Sequence, residues 1–273
     1  MLNYSIPFLR ALIALSVILG SENAFAITKS IVKTDSDSNE TSKMIEGEIL
    51  IGNFFSNSTY TATPKNDGLV ENRYAMSLTY HPTEHWFGSI DMNFFTDKTK
   101  KDRYTQLSEF DRVMRLGYTD DKWDYYIEDE RDATLGDSFS QAYTALGVKR
   151  KESINIGVHP LSIYFTAEKL IRNETYYARP DNTGRANMRY ILHWDYDFGN
   201  QWIISSDNNF FTDQNKRALL DKFAELSELD CLVQISYKIN THIKINLVRE
   251  TDMSLDKRGV NQTYWGTFLS IGF

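Results

Sequence analysis

The sequence predicts an all-β fold: a transmembrane, up-and-down β-barrel of antiparallel strands, twelve of them, built from two repeated six-stranded halves. Three observations predict it. Apolar and polar residues alternate with period two in segment after segment from Glu46 onward, the connections between those segments alternate between short and long, and the chain repeats itself at a shift of 116 positions.

The alternating segments, rich in Tyr, Phe, Ile and Val, lie near 46–56, 72–81, 85–96, 108–119, 122–130, 139–149, 154–170, 187–196, 201–212, 228–238, 242–250 and 262–273. Asn, Asp, Gly, Lys and Pro separate them, the residue types that turns select. Short connections fall at Pro82-Thr83-Glu84, Asp120-Asp121, Arg150 to Ser153, Asp197 to Asn200 and Ile239 to Thr241. The others, 57–71, 97–107, 131–138, 171–186, 213–227 and 251–261, are long. Short turns at one rim and long loops at the other are the plan of outer-membrane barrels, and an even strand count leaves both termini at the short-turn, periplasmic rim.

The repeat supports the count. Residues 57–100 align with 173–216, and 19 of those 44 positions are identical. Arg73-Tyr74 matches Arg189-Tyr190, Trp86 matches Trp202, and Asn93-Phe94-Phe95-Thr96-Asp97 recurs whole as Asn209-Phe210-Phe211-Thr212-Asp213. Further on, Leu107-Ser108-Glu109-Phe110-Asp111 pairs with Leu226-Ser227-Glu228-Leu229-Asp230. A period of this length is too long for a solenoid and fits a doubled half-barrel.

At the N-terminus, Arg10, an apolar run from Ala11 to Gly20 and the small-x-small triplet Ala24-Phe25-Ala26 read as a cleaved signal peptide over residues 1–26. Residues 27–45 then form a polar segment, and 46–273 the barrel, with repeat halves about 46–150 and 154–273. The apolar run is about half what a spanning helix needs. Helical membrane proteins are thereby excluded, whereas barrel strands average out polar and agree with a mean hydropathy of −0.44. A net charge of −7 argues against a nucleic-acid partner. The single cysteine, Cys231, can build no internal disulfide or thiolate metal site.

The last strand, Tyr264 to Phe273, places Trp265, Leu269, Ile271 and Phe273 on one face, which resembles the C-terminal signature read by the barrel-assembly machinery. Phe273 is the expected assembly signal and bacterial outer-membrane lipid the expected surroundings. If Phe273 faces lipid, alternation sends Leu78, Leu116, Ile127, Val233, Ile245 and Leu247 outward too. Trp86 and Trp202 fall near the short-turn rim, and Phe94, Phe95, Phe210 and Phe211 near the long-loop rim, as two aromatic girdles. The alternate positions turn inward, and Arg73, Asp91, Arg115, Glu128, Arg189 and Asp207 are the candidate pore-lining residues among a set of mixed sign with a slight excess of acid.

No catalytic, cofactor or metal site is expected. The five histidines, His81, His85, His159, His193 and His242, stand outside any Gly-x-Ser-x-Gly elbow or His-Glu-x-x-His pattern. Phe94-Phe95-Thr96-Asp97 followed by Asp102-Arg103-Tyr104-Thr105 resembles the N-terminal motif of outer-membrane lipid A deacylases, but it sits in the third strand and lacks the Asn-Gly that should follow. In size, strand number and terminal aromatic the mature chain resembles the small monomeric porins that admit acidic oligosaccharides into bacteria. That resemblance implies a pore with two tracks of Arg and Lys; the inward set here is mixed, so the substrate class does not carry over. The first expectation is therefore a passive channel for small hydrophilic solutes. A non-conducting barrel acting through its external loops is the alternative, and an outer-membrane lipid hydrolase the third.

Overall fold

A computed structural model describes residues 44–57, 59, 68–102, 104–135, 140–173, 185–215, 221–255 and 259–273. The expected signal peptide, and the polar segment as far as residue 43, lie outside the described residues. Twelve strands form: β1 (Met44–Asn57), β2 (Val70–His81), β3 (Trp86–Asp97), β4 (Leu107–Asp120), β5 (Trp123–Thr134), β6 (Ser140–Ile156), β7 (His159–Asn173), β8 (Ala186–Gly199), β9 (Trp202–Asp213), β10 (Leu226–Lys238), β11 (Ile243–Ser254) and β12 (Gly259–Gly272). A single short helix, α1 (Asp221–Ala224), precedes β10 among the described residues. Each strand pairs antiparallel with its sequence neighbours, and β1 pairs with β12 to close the barrel. Closure leaves no edge strand, which a membrane would not tolerate.

At the seam the Gly47 N–H donates to the Phe273 carbonyl (3.0 Å) and the Phe273 N–H returns the bond to Gly47 (2.9 Å). The turns explain themselves locally. Between β8 and β9, Asn200 and Gln201 both have positive φ (49° and 73°), the type I′ geometry whose twist matches that of paired strands. Between β2 and β3, the Thr83 hydroxyl caps the turn by accepting from the His85 (3.3 Å) and Trp86 (3.0 Å) N–H groups.

Strand ends differ from the sequence expectation at three places. β1 starts at Met44, inside the segment read as polar. The β6–β7 turn sits at Gly157-Val158, so Arg150 to Ser153 is strand rather than turn. There Arg150 lies over the Trp123 ring at 5.0 Å, and Glu152 accepts from Lys122 at 2.6 Å; outward side chains of alternating charge extend this hairpin. Third, β5 and β11 run on to Thr134 and Ser254, which shrinks two of the expected long loops to residues 135–139 and 255–258.

The outer face is apolar: Leu116, Leu146 and Phe165 are more than half exposed, a state that only lipid satisfies. A shallow groove of 440 Å³ on this face, between Ile156, Leu161, Leu192 and Trp194, is apolar as well. The inner face is packed by size matching across strands. Gly147 on β6 opposes Tyr126 on β5, and a Cβ there would meet the Tyr126 ring at 2.3 Å, so only glycine lets that ring lie across the strand. Gly52 seats Phe268 in the same way, against Phe54 and Tyr264.

Gly147→Val should therefore destabilise the refolded barrel by about 1–3 kcal/mol through overpacking. Gly88→Ala, whose new Cβ has its nearest neighbour at 3.9 Å, should move it by less than about 0.5 kcal/mol. Urea midpoints followed by heat-modifiable migration would check both.

Candidate functional site in the lumen

Alternation turns every second residue of β4 to β9 into the lumen, and the polar ones meet there. Arg115 on β4 donates from Nε to Glu128 Oε2 (2.6 Å) and from Nη1 to Asp91 Oδ2 (2.7 Å). Arg189 on β8 donates to Glu168 through Nε and to Glu128 Oε1 through Nη2 (2.6 Å), and its Nη1 stands 3.5 Å from Glu130 Oε2. Glu128 and Glu130 are on β5, so Arg189 reaches past both β7 and β6. It can do so because β6 presents small inner residues, Ala145 and Gly147, beside the Tyr143 ring on which the guanidinium rests at 5.5 Å. The Tyr143 hydroxyl lies between Glu128 Oε1 (2.7 Å) and Glu130 Oε2 (2.5 Å), which share its one proton, and Tyr126 donates to Glu168 (2.5 Å).

The network is dry. Glu128 and Glu168 are 0% and 1% exposed, and Arg189 8%. Buried charge is tolerated only when paired and hydrogen-bonded, and here two guanidinium groups and two phenols serve the carboxylates. Nearby luminal charges are wet instead. Asp91, Lys149, His193, Asp195 and Asp207 keep 31–37% of their side-chain surface although they sit inside the barrel. His193 lies between Asp195 (2.9 Å) and Asp207 (3.3 Å), and Lys238 binds Asp197 at 2.6 Å.

All six candidate lining residues lie on the inner face. Arg115, Glu128, Asp91 and Arg189 belong to one network, Asp207 joins His193, and Arg73 bonds Asn93 Oδ1 at 2.9 Å beneath the Phe95 ring. The girdle is corrected in part. Phe95 and Phe211 are 6% and 3% exposed and pack in inner clusters, because neighbours on a strand face opposite ways and Asn93 and Asn209 already point in. Phe94, against Phe110 at 5.0 Å, and Phe210 keep the outer positions. Trp86 and Trp202 are half exposed on the outside, each against a tyrosine. Glu168, Tyr126 and Tyr143 are network members the sequence reading passed over. Their period-two phase with Lys149 and Glu128 was the signal that could have found them.

No catalytic triad is formed at His193. The serine that reaches the His193 group, Ser205, bonds Asp195 rather than the imidazole, and the group is luminal rather than lipid-facing. Among the described residues no three His, Cys, Asp or Glu side chains converge as a metal site.

The closed order of the strands decides the fold comparison. This chain has the fold of a twelve-stranded outer-membrane β-barrel. A similar barrel is the outer-membrane phospholipase A of Escherichia coli, in an active-site mutant, at 12% identity and TM-score 0.51 over 87% of this chain and 94% of that one. Others are the porin KdgM in complex with disordered oligogalacturonate (8%, 0.45, covering 84% and 98%) and an outer-membrane channel of Pseudomonas putida F1 (10%, 0.47, covering 89% and 100%). No family model matches the chain, and no curated protein matches it. Identities this low speak for the barrel fold alone, so the chemistry has to come from the lumen itself.

Arg189→Met would take a guanidinium from three buried carboxylates, of which Glu128 keeps Arg115. A loss of about 3–5 kcal/mol is expected, the usual cost of breaking a buried ion pair from one side. Pairing it with Glu130→Gln should recover part of that loss in urea titrations of the refolded barrel.

Proposed function

We propose that the protein is a porin-like channel of the bacterial outer membrane, passing small hydrophilic solutes by diffusion. One observation carries this reading: charged side chains on the inner wall, Asp91, Lys149, His193, Asp195 and Asp207, remain about one-third exposed within a closed barrel. Charges left exposed in this way need hydration, which supports a lumen that admits water. A wall of both signs favours hydrated solutes broadly over one dominant ion. The expected signal peptide and the terminal Phe273, seated on Gly47 at the barrel seam, support export and insertion by the barrel-assembly machinery with lipid around the outer face.

The test is single-channel recording in planar bilayers. Wild-type barrel should give stable openings, and Asp91→Asn/Asp207→Asn should lower the cation-to-anion permeability ratio several-fold, since a carboxylate about 4 Å from an ion in water is worth about 1 kcal/mol. A barrel verified as folded that conducts nothing would overturn the channel and shift the weight to its external loops.

A further inference from the structure

At the short-turn rim the β6–β7 hairpin runs past its neighbour. β5 begins at Trp123, and the last backbone bond from that side is the Lys151 N–H donating to the Lys122 carbonyl (2.9 Å). β6 nevertheless continues, paired with β7, until Ile156 stands opposite His159. Residues 152–156 therefore have no strand beside them on the β5 side, an overhang of roughly 17 Å at about 3.4 Å per residue. At other short turns the neighbouring strand reaches the tip: the Thr119 N–H donates to His85 (2.6 Å), Lys238 to Gln201 (2.8 Å) and Gly272 to His242 (2.8 Å).

The open groups can be named. A strand residue in an antiparallel ladder sends its N–H and C=O to one side, and its neighbours send theirs to the other. Lys151 faces β5, so Ser153 and Asn155 face the same way, and no described residue bonds their backbone there. Residues 153–158 are all exposed, Val158 at the tip by 88%. On the outer side of this stretch Ile154 and Ile156 are 52% and 51% exposed, and Ile156 borders the apolar groove that runs on over Leu161, Tyr196 and Phe198.

A bare edge attracts another strand, and proteins blunt such edges with proline, charge or a bulge. The β7 flank of this hairpin is blunted, because Pro160 has no N–H to offer toward β8. The β6 flank is not: Ser153 to Ile156 contain no proline and no charge, and their register with β7 is unbroken. Gly157, with φ 65° at the first of the two turn residues, keeps the ladder regular to its tip.

N–H and C=O groups that repeat in line every second residue, about 7 Å apart, are matched by an extended polypeptide backbone. A lipid headgroup has no such repeat, and antiparallel pairing with the same edge of a second copy would invert one barrel in the membrane. We propose that the β6 edge at Ser153 and Asn155 docks an extended peptide segment of a soluble partner protein. The segment adds as a further strand, with apolar residues at alternate positions lying beside Ile154 and Ile156. The inference is independent of conduction and takes from the outer-membrane reading only the side, since short turns face the periplasm.

The test is fluorescence anisotropy of a fluorescein-labelled Lys-Thr-Val-Thr-Val-Thr-Lys peptide titrated with the refolded barrel in micelles, each variant being verified as folded by heat-modifiable migration. Saturable binding is expected for wild type. Asn155→Pro and Ser153→Pro each remove one N–H from the open edge and spare the ladder to β7, so each should weaken binding about tenfold or more. Asn155→Ala, which keeps the N–H, should bind as wild type does, and the same peptide with an N-methylated backbone should not bind. Absence of saturable binding to the folded wild type, or undiminished binding by both proline variants or of the methylated peptide, would overturn the site. A wild-type barrel that dimerises while Asn155→Pro stays monomeric would overturn it as well, by giving the edge to a second copy.

Discussion

A chain that crosses hydrocarbon with strands must pair every backbone N–H and C=O with itself, because no water is there to replace a missing partner. The β1–β12 seam meets that requirement, and the rest of the structure follows from it. Once the sheet is closed, each strand has one face in lipid and one in the lumen, so the two-residue period of the backbone sorts side chains without further instruction. Leu116 and Ile127 go out while Arg115 and Glu128, their immediate neighbours, go in and bind one another.

Closure also sets the electrostatic problem. A lumen about two side chains wide brings charges from strands that are not neighbours into contact, and each must be paired or hydrated. The wall uses both solutions at different places. Around Arg189 the carboxylates are dry and saturated with donors, which braces β5 against β8; around His193 and Lys149 the same residue types stay wet. A section braced by buried ion pairs thus lies beside one whose charges stay about one-third exposed.

Most of this was legible in the sequence, for one reason: alternation is a local signal, and it places strands and faces together. It located all twelve strands and put Arg73, Asp91, Arg115, Glu128, Arg189 and Asp207 on the inner face. It failed where composition contradicted it. Arg150 to Ser153 looks like a turn because it is polar throughout, yet its residues simply continue the alternation of β6. Asp132 and Asp252 look like loop residues because strands disfavour Asp, yet both lie in register opposite another Asp, and this hid the acidic end of the lumen. Phe95 and Phe211 were drawn outward by the company of Phe94 and Phe210, although phase with Asn93 and Asn209 turns them in. Which carboxylates share which arginine is a contact between distant strands, and no local pattern encodes it.

The central claim, a closed barrel with a wet, charged interior and a lipid-covered exterior, is tested most directly by cysteine accessibility along β8. In a Cys231→Ser background reconstituted into lipid vesicles, a membrane-impermeant thiol reagent should label cysteines placed at His193 and Asp195 and spare those at Leu192 and Trp194. Labelling that ignores this alternation, or a folded barrel in which 193 and 195 stay unreactive, would contradict it.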